Sequence, residues 1–247
     1  RIKTPAGIIT ADQLEAVSKI ADKYSYGKIH FTTRQDIQFH AVELENTANI
    51  MEEILEIGIN SLGAGGNSAR NVACSPLAGV DKDEIFDVTP YAVETAEHLL
   101  KDPSTIKLPR KYKVSFSNNN LDTAYATIAD LGFVAKVEDD KKGFQVYGSG
   151  GLGGSSTAAL KIEDFIDEKD VLYYVQAMKE LFEAEGDREN RSKARIRFIR
   201  YRLGEDKFKE LLKYYVNKAK EQLNLDLIIK EVNKEYEHED GNPSISS

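Results

Sequence analysis

Arg34, Gln38 and His40 fall within one short stretch, Phe31-Thr-Thr-Arg-Gln-Asp-Ile-Gln-Phe-His40. Read as a strand from Ile37, the side chains alternate by face. Ile37, Phe39 and Ala41 then point one way, and Gln38 and His40 the other. Arg34 stands where the chain bends between this strand and the preceding Lys28–Thr33. One face is apolar and suits a core. The other is polar and suits either solvent or an anionic ligand.

Three further stretches carry candidate chemistry. In Leu108-Pro-Arg-Lys-Tyr-Lys-Val-Ser-Phe-Ser117 a period of two puts Lys111 and Lys113 on one face, with Tyr112, Val114 and Phe116 on the other. Two adjacent like charges repel, which a solvated surface tolerates and an anion bound between them would exploit. Gly148-Ser-Gly-Gly-Leu-Gly-Gly-Ser-Ser156 has five glycines in nine residues. Such a loop is either a linker or a cradle presenting N–H groups to carboxylates or phosphates. It lacks the Gly-Lys-Ser/Thr of a P-loop and the distant acidic residue of a dinucleotide fingerprint. Arg188–Arg202 holds seven basic residues and one acidic residue, Glu189. A solvated, salt-bridged helix is the plainest expectation there.

The elements that must position these groups follow from periodicity. Arg1–Ile9 reads as a weak edge strand. Thr10-Ala-Asp-Gln13 is a capping box, and Leu14, Val17, Ile20 and Ala21 continue at helical spacing. Two strands flank Arg34, and a helix over Asn46–Ile57 stops at Gly58. Residues 1–58 thus read as β-α-β-β-α, a ferredoxin-like half. Leu62–Asn67 is a glycine-rich break, and Asn67–Gly79 a loop that folds around something. Then come a helix at Pro90–Leu100, the lysine strand, a short helix or turn over Thr123–Gly132, and a hairpin of Phe133–Val137 with Gly143–Tyr147. Helices follow at Asp170–Glu185 and around Phe208–Ala219. Leu225–Val232 is a short apolar segment, and Glu235–Ser247 has linker composition.

Composition excludes several function classes. The 247 residues carry a net charge of −8, which argues against bulk nucleic-acid binding. No apolar run is long enough to span a membrane, and no signal-peptide pattern is present, so a cytoplasmic location is expected. The single cysteine, Cys74, rules out an internal disulfide and suits a reducing compartment. One cysteine and four scattered histidines make no metal-ligand set.

Taken together and in this order, Thr32–His40, Ser68-Ala-Arg-Asn-Val-Ala-Cys-Ser-Pro76, Leu108–Lys113, Ala129-Asp-Leu-Gly-Phe133, Gly148–Gly153 and Asn190-Arg-Ser-Lys-Ala-Arg195 resemble the amino-terminal half of the sirohaem-containing nitrite and sulfite reductases. The resemblance covers about residues 1–205. It implies an α+β fold: a ferredoxin-like half-domain (residues 1–62), then a nitrite/sulfite reductase-type α+β sirohaem-binding domain (63–204). Residues 205–247 would be a helical extension and linker to a missing carboxy-terminal half. The implied activity is the six-electron reduction of sulfite to sulfide or of nitrite to ammonia, with sirohaem and a [4Fe–4S] cluster in the full-length protein.

By the same resemblance, Arg34, Arg70, Lys111 and Lys113 are the substrate-facing cations. Gln38, His40, Asn71, Gly150, Gly151, Gly153 and Arg191 are the cofactor contacts. Lys-x-Lys at 111–113 leans towards sulfite, the more highly charged anion. The implied partners are a small oxyanion, the second half and an electron donor such as ferredoxin or a flavoprotein, with no nucleic acid and no membrane. The chain departs from the family in its cysteines. A [4Fe–4S] cluster needs four thiolates, and Cys74 is taken as structural. The chain is therefore expected to be an inactive fragment on its own. The alternative is a non-catalytic tetrapyrrole-binding or scaffold half that forms a homodimer or pairs with another subunit.

Overall fold

The computed structural model describes residues 1–227 and 229. The expected apolar segment Leu225–Val232 lies partly, and the tail Glu235–Ser247 wholly, outside the described residues.

The capping box forms as expected: Thr10 Oγ1 accepts from the Gln13 N–H and Gln13 Oε1 from the Thr10 N–H, both at 3.1 Å. It starts helix α1 (Ala11–Tyr24). Strands β1 (Ile29–Phe31) and β2 (Ile37–Phe39) pair antiparallel with His30 opposite Gln38. Helix α2 (Thr47–Glu56) follows, and Gly58 takes the left-handed conformation just beyond it (φ +73°). Val17, Ile20, Ile37, Ile50 and Ile54 form a small core of their own. The expected strand over Arg1–Ile9 is not continuous. Ile2 and Lys3 make isolated bridges to Ile37 and Asn60, and Pro5–Gly7 is a 3₁₀ turn with Ala6 at φ 56°. Proline has no N–H for a ladder, so the strand cannot run on.

The second unit is a five-stranded mixed sheet in sequence order: β3 (Ala73–Cys74), β4 (Val114–Ser117), β5 (Leu131–Glu138), β6 (Lys141–Gly148) and β7 (Leu160–Asp167). The first three strands run parallel; β5–β6 and β6–β7 are antiparallel. Helices α3 (Thr89–Lys101), α4 (Val171–Glu185) and α6 (Glu205–Gln222) share its core, and α5 (Ile196–Leu203) leads into α6. Phe116, Phe133 and Phe144 meet across three neighbouring strands, with Phe116 stacked on Phe133 at 4.7 Å and Phe144 edge-on to both. Phe208, Leu212 and Val216 of α6 complete that core.

Four local expectations are corrected. The lysine strand is continuous only from Val114; before it, Tyr112 makes an isolated bridge to Ala69, and the Lys113 carbonyl accepts from the Leu131 N–H at 3.1 Å. The stretch 67–79 is largely buried and contributes strand β3. Strand β7, which lacks a clean apolar alternation, covers residues that the periodicity left unassigned. Arg188–Arg202 is not one solvated helix: its helical part is α5 alone, and Arg197 and Arg200 are buried.

Candidate functional site

Parallel pairing of β4 with β5 puts the residues that precede them, Lys113 and Asp130, side by side. The Lys113 N–H donates to Asp130 Oδ2 at 3.0 Å. Asp130 is fully buried, and both its oxygens accept from Arg195 Nη2, at 2.9 and 2.8 Å. The Arg34 turn reaches the same end of the sheet. Arg34 Nη1 donates to the carbonyls of Asn71 (3.3 Å) and Val114 (3.1 Å).

All four expected substrate-facing cations line one cavity of about 410 Å³: Arg34, Arg70, Lys111 and Lys113. Arg70 is 9% exposed and held by the carbonyls of Ala64 (2.9 Å) and Gly66 (2.7 Å), with Nε unpartnered. Burial pulls Arg34 down to about 10 and Lys113 to about 8; for Lys113 the neighbouring Arg34 and Arg195 add to this. Lys111 is lowered by burial and then by Arg70. In a chain of net charge −8, this convergence of cations is a local inversion of the average. Charges this close and partly desolvated are stabilised by an anion between them.

The expected cofactor contacts divide. Gly150 and Gly151 are tight: a Cβ would stand 2.8 Å from the Ala129 carbonyl and 2.6 Å from Arg197 Nη1, respectively. Gly153 has φ +116°, which suits glycine. Asn71 is buried and its amide donates to the carbonyls of Thr4 (2.8 Å) and Arg34 (3.1 Å), leaving Oδ1 unpartnered. Gln38 and His40 are not among the cavity-lining residues. Gln38 of β2 stands opposite His30 of β1, and the ring of His40, just past β2, meets that of His30 edge-on at 5.6 Å. Arg191 is exposed in the turn before α5 and is also outside the lining.

Sequence reasoning missed Arg1, which lines the cavity with Nη1 4.0 Å from Asp36 Oδ2. It also missed the roles of Asp130, Arg195 and Arg197. Two of these lay inside quoted stretches, Ala129–Phe133 and Asn190–Arg195, but nothing in spacing showed that they pair. Asp36 is 2% exposed, and burial pushes it up to about 6.

Comparison with known proteins decides the family. The model for the nitrite/sulfite reductase ferredoxin-like half domain matches residues 1–57, and that for the nitrite and sulphite reductase 4Fe-4S domain matches residues 65–220.

The chain belongs to the nitrite and sulfite reductase family.

Its relatives in that family include the ferredoxin–nitrite reductase of Leptolyngbya laminosa, 28% identical over 85% of this chain and 42% of that protein. The assimilatory ferredoxin-dependent nitrite reductase of Haloferax mediterranei is 30% identical over 86% of this chain and 39% of that protein. The ferredoxin sulfite reductase of Mycobacterium tuberculosis is 28% identical over 86% and 38%. The solved structure of the M. tuberculosis NirA protein superposes with a TM-score of 0.81 at 27% identity, over 91% of this chain and 40% of that one. The chain spans about two fifths of the length of the curated relatives it matches. The α+β expectation, a ferredoxin-like half followed by a reductase-type domain, stands. Among the described residues no helix is long and apolar enough to cross a membrane.

The residues present fit the family's two implied cofactors unequally. A carboxylate-rich tetrapyrrole needs buried donors and close backbone approach, and the chain has both: among the described residues Arg70 Nε and Arg195 Nε are buried without acceptors, and Arg195 Nη2 lies 3.7 Å from where a Cβ on the tight Gly151 would stand. A [4Fe–4S] cluster does not fit. Cys74 is the single cysteine, 2% exposed, with its thiol pushed up to about 12 by burial. Among the described residues no group of metal-ligating side chains gathers.

Proposed function

We propose that this chain is the amino-terminal part of a sirohaem/[4Fe–4S] reductase that reduces sulfite to sulfide or nitrite to ammonia. In this reading it contributes the cationic substrate wall and one side of the sirohaem pocket. Residues 1–62 and 63–204 form its two units, and 205–247 lead on towards a carboxy-terminal half that would supply the cluster thiolates. The observation that carries the reading is the meeting of Arg34, Arg70, Lys111 and Lys113 in one cavity. Four isolated surface cations would have no reason to share a desolvated space.

Sirohaem, when bound, supplies the iron at which the substrate's central atom is reduced. This chain's residues do the rest of the electrostatics. Arg70, anchored on two carbonyls, offers its remaining donor as a fixed point of positive charge. Lys111 and Lys113 neutralise the oxyanion. Lys113, near 8, holds a proton at its Nζ that it can release and regain at working pH. Each oxygen lost as water takes up two protons, so such a donor beside the substrate is useful. Arg34, tied to the backbone on both sides of the site, keeps the ferredoxin-like half seated. Gln38, His40, Asn71, the Gly150–Gly153 loop and Arg191 are assigned to the cofactor side.

The paired lysines favour sulfite, because a more highly charged anion gains more from a second cation. An electron donor such as ferredoxin or a flavoprotein follows from the same reading. The test is turnover of both substrates by the full-length protein, with Arg70, Lys111 and Lys113 neutralised one at a time. At least tenfold losses in kcat/KM support the reading, and unchanged turnover rejects it. Reading the coding sequence beyond Ser247 for four suitably spaced cysteines tests the proposed second half.

A further inference from the structure

The guanidinium of Arg197 lies under the glycine loop without an acceptor for its buried edge. Arg197 is the second residue of α5 and is 5% exposed. Its Nε and Nη1 are buried and make no hydrogen bond among the described residues. The carboxylate that acts on it, Asp130, is committed elsewhere: both oxygens accept from Arg195, and one also from the Lys113 N–H. The ring of Phe198 sits 5.0 Å from the guanidinium carbon, which shields the charge but offers no lone pair. A buried charge with unsatisfied N–H groups is costly, and such a group calls for a ligand that supplies the acceptor.

The loop above it is built for close approach. A Cβ at Gly151 would stand 2.6 Å from Arg197 Nη1, and one at Gly153 would stand 3.7 Å from Nη2. Gly151 and Thr157 pin the base of the loop with reciprocal backbone bonds of 3.0 and 2.9 Å. Between them, the N–H groups of Gly153 and Gly154 donate to no backbone carbonyl of the described residues. The Gly153 carbonyl accepts from Ser156 Oγ at 2.9 Å, which closes the tip on itself and leaves those two N–H groups unclaimed by backbone. Guanidinium and free N–H groups are donors alone, and a carboxylate satisfies both at once.

We propose that Arg197 clamps a carboxylate of the tetrapyrrole against the Gly150–Gly153 loop, an assignment that rests on the sirohaem reading above. It differs from Arg191, the arginine that the family resemblance put forward, which is exposed in the preceding turn.

The experiment is an absorbance titration of this chain with sirohaem, at several salt concentrations, with a thermal melt of each variant. Arg197→Met raises the Kd tenfold or more and flattens its salt dependence, while Arg197→Lys keeps part of the affinity. The melting temperature of Arg197→Met stays level or rises, because an unpaired buried charge is removed. Gly151→Ala keeps the charge but displaces the guanidinium, so its Kd rises as well; it decides the matter if Arg197→Met does not fold. If the parent chain binds sirohaem and both variants bind it equally well, the clamp is wrong and the sirohaem reading survives. An Arg197→Met protein that melts lower with unchanged affinity makes Arg197 structural and also overturns the clamp. No uptake by the parent chain overturns the clamp, while the sirohaem reading, in which this chain is one side of the pocket, is decided by the same titration on the full-length protein.

Discussion

Arg34 and Asn71 hold each other by their backbones: Arg34 Nη1 donates to the Asn71 carbonyl at 3.3 Å, and Asn71 Nδ2 donates to the Arg34 carbonyl at 3.1 Å. This exchange joins the turn between β1 and β2 to the segment before β3. Gln35 adds to it by pairing both backbone groups of Cys74, at 2.7 and 2.9 Å, so that the open edge of β3 is capped by a side chain. Asn71→Ala leaves the carbonyls of Thr4 and Arg34 without that donor. Stability should fall by about 1–3 kcal/mol. A urea melt that matches the parent protein would show the tie to be idle.

Lys113 sets a pH limit on anion binding. Its folded value of about 8 lies below the ordinary lysine value. Its charge is therefore lost as pH rises through about 8, and sulfite or sulfate affinity should fall there. Lys113→Met should bind more weakly at pH 7 and lose the step near pH 8. Isothermal titration across pH 6.5–9.5 reads this; an unchanged step in the variant would place the titration on another group.

Asp36 gives a stability signature of known sign. Burial raises it to about 6, from an ordinary aspartate value of 3.8. The folded state thus favours the protonated acid. Its contribution to stability is fully present below about 3.8 and is lost as pH rises through about 6. Asp36→Asn should be more stable than the parent protein at pH 7 and level with it at pH 4. Denaturation midpoints at both values test this, and a variant less stable at pH 7 would mean that Arg1 and Lys3 outweigh desolvation.

Asp130→Asn removes the one carboxylate that Arg195 bonds among the described residues. Breaking a buried pair on one side costs about 3–5 kcal/mol. The expected result is a large drop in melting temperature, partly recovered when Arg195→Met is added. Additive losses in the double variant would show that the two residues are not coupled.

The chain is expected to self-associate. Strand β1 is an edge with Phe31 58% exposed, and Leu44, Met51 and Leu55 stand 83%, 45% and 61% exposed nearby in sequence. Sedimentation at high concentration should show a dimer, and a monomer there rejects the expectation.

Local chemistry determined much of this protein. The capping box at Thr10, the helical spacing of Val17 and Ile20, the Tyr112-Val114-Phe116 alternation and the β5–β6 hairpin are short-range patterns, and each appears where those patterns put it. The candidate cations were put forward by the resemblance of their motifs to the family, since local pattern alone left Lys111 and Lys113 open between a solvated face and an anion site. What tertiary structure decided was which of them meet. Parallel pairing of β4 and β5 placed Lys113 beside Asp130, and the return of α5 brought Arg195 to the same carboxylate. Arg197 and Arg200 look like surface charges in sequence. They became interior because α5 docks under the glycine loop, and no spacing rule reports a contact between residues so far apart in the chain. Arg34 and Asn71, 37 residues apart, share backbone acceptors for the same reason. Sequence sets each group's chemistry, and the fold decides which groups share a buried space.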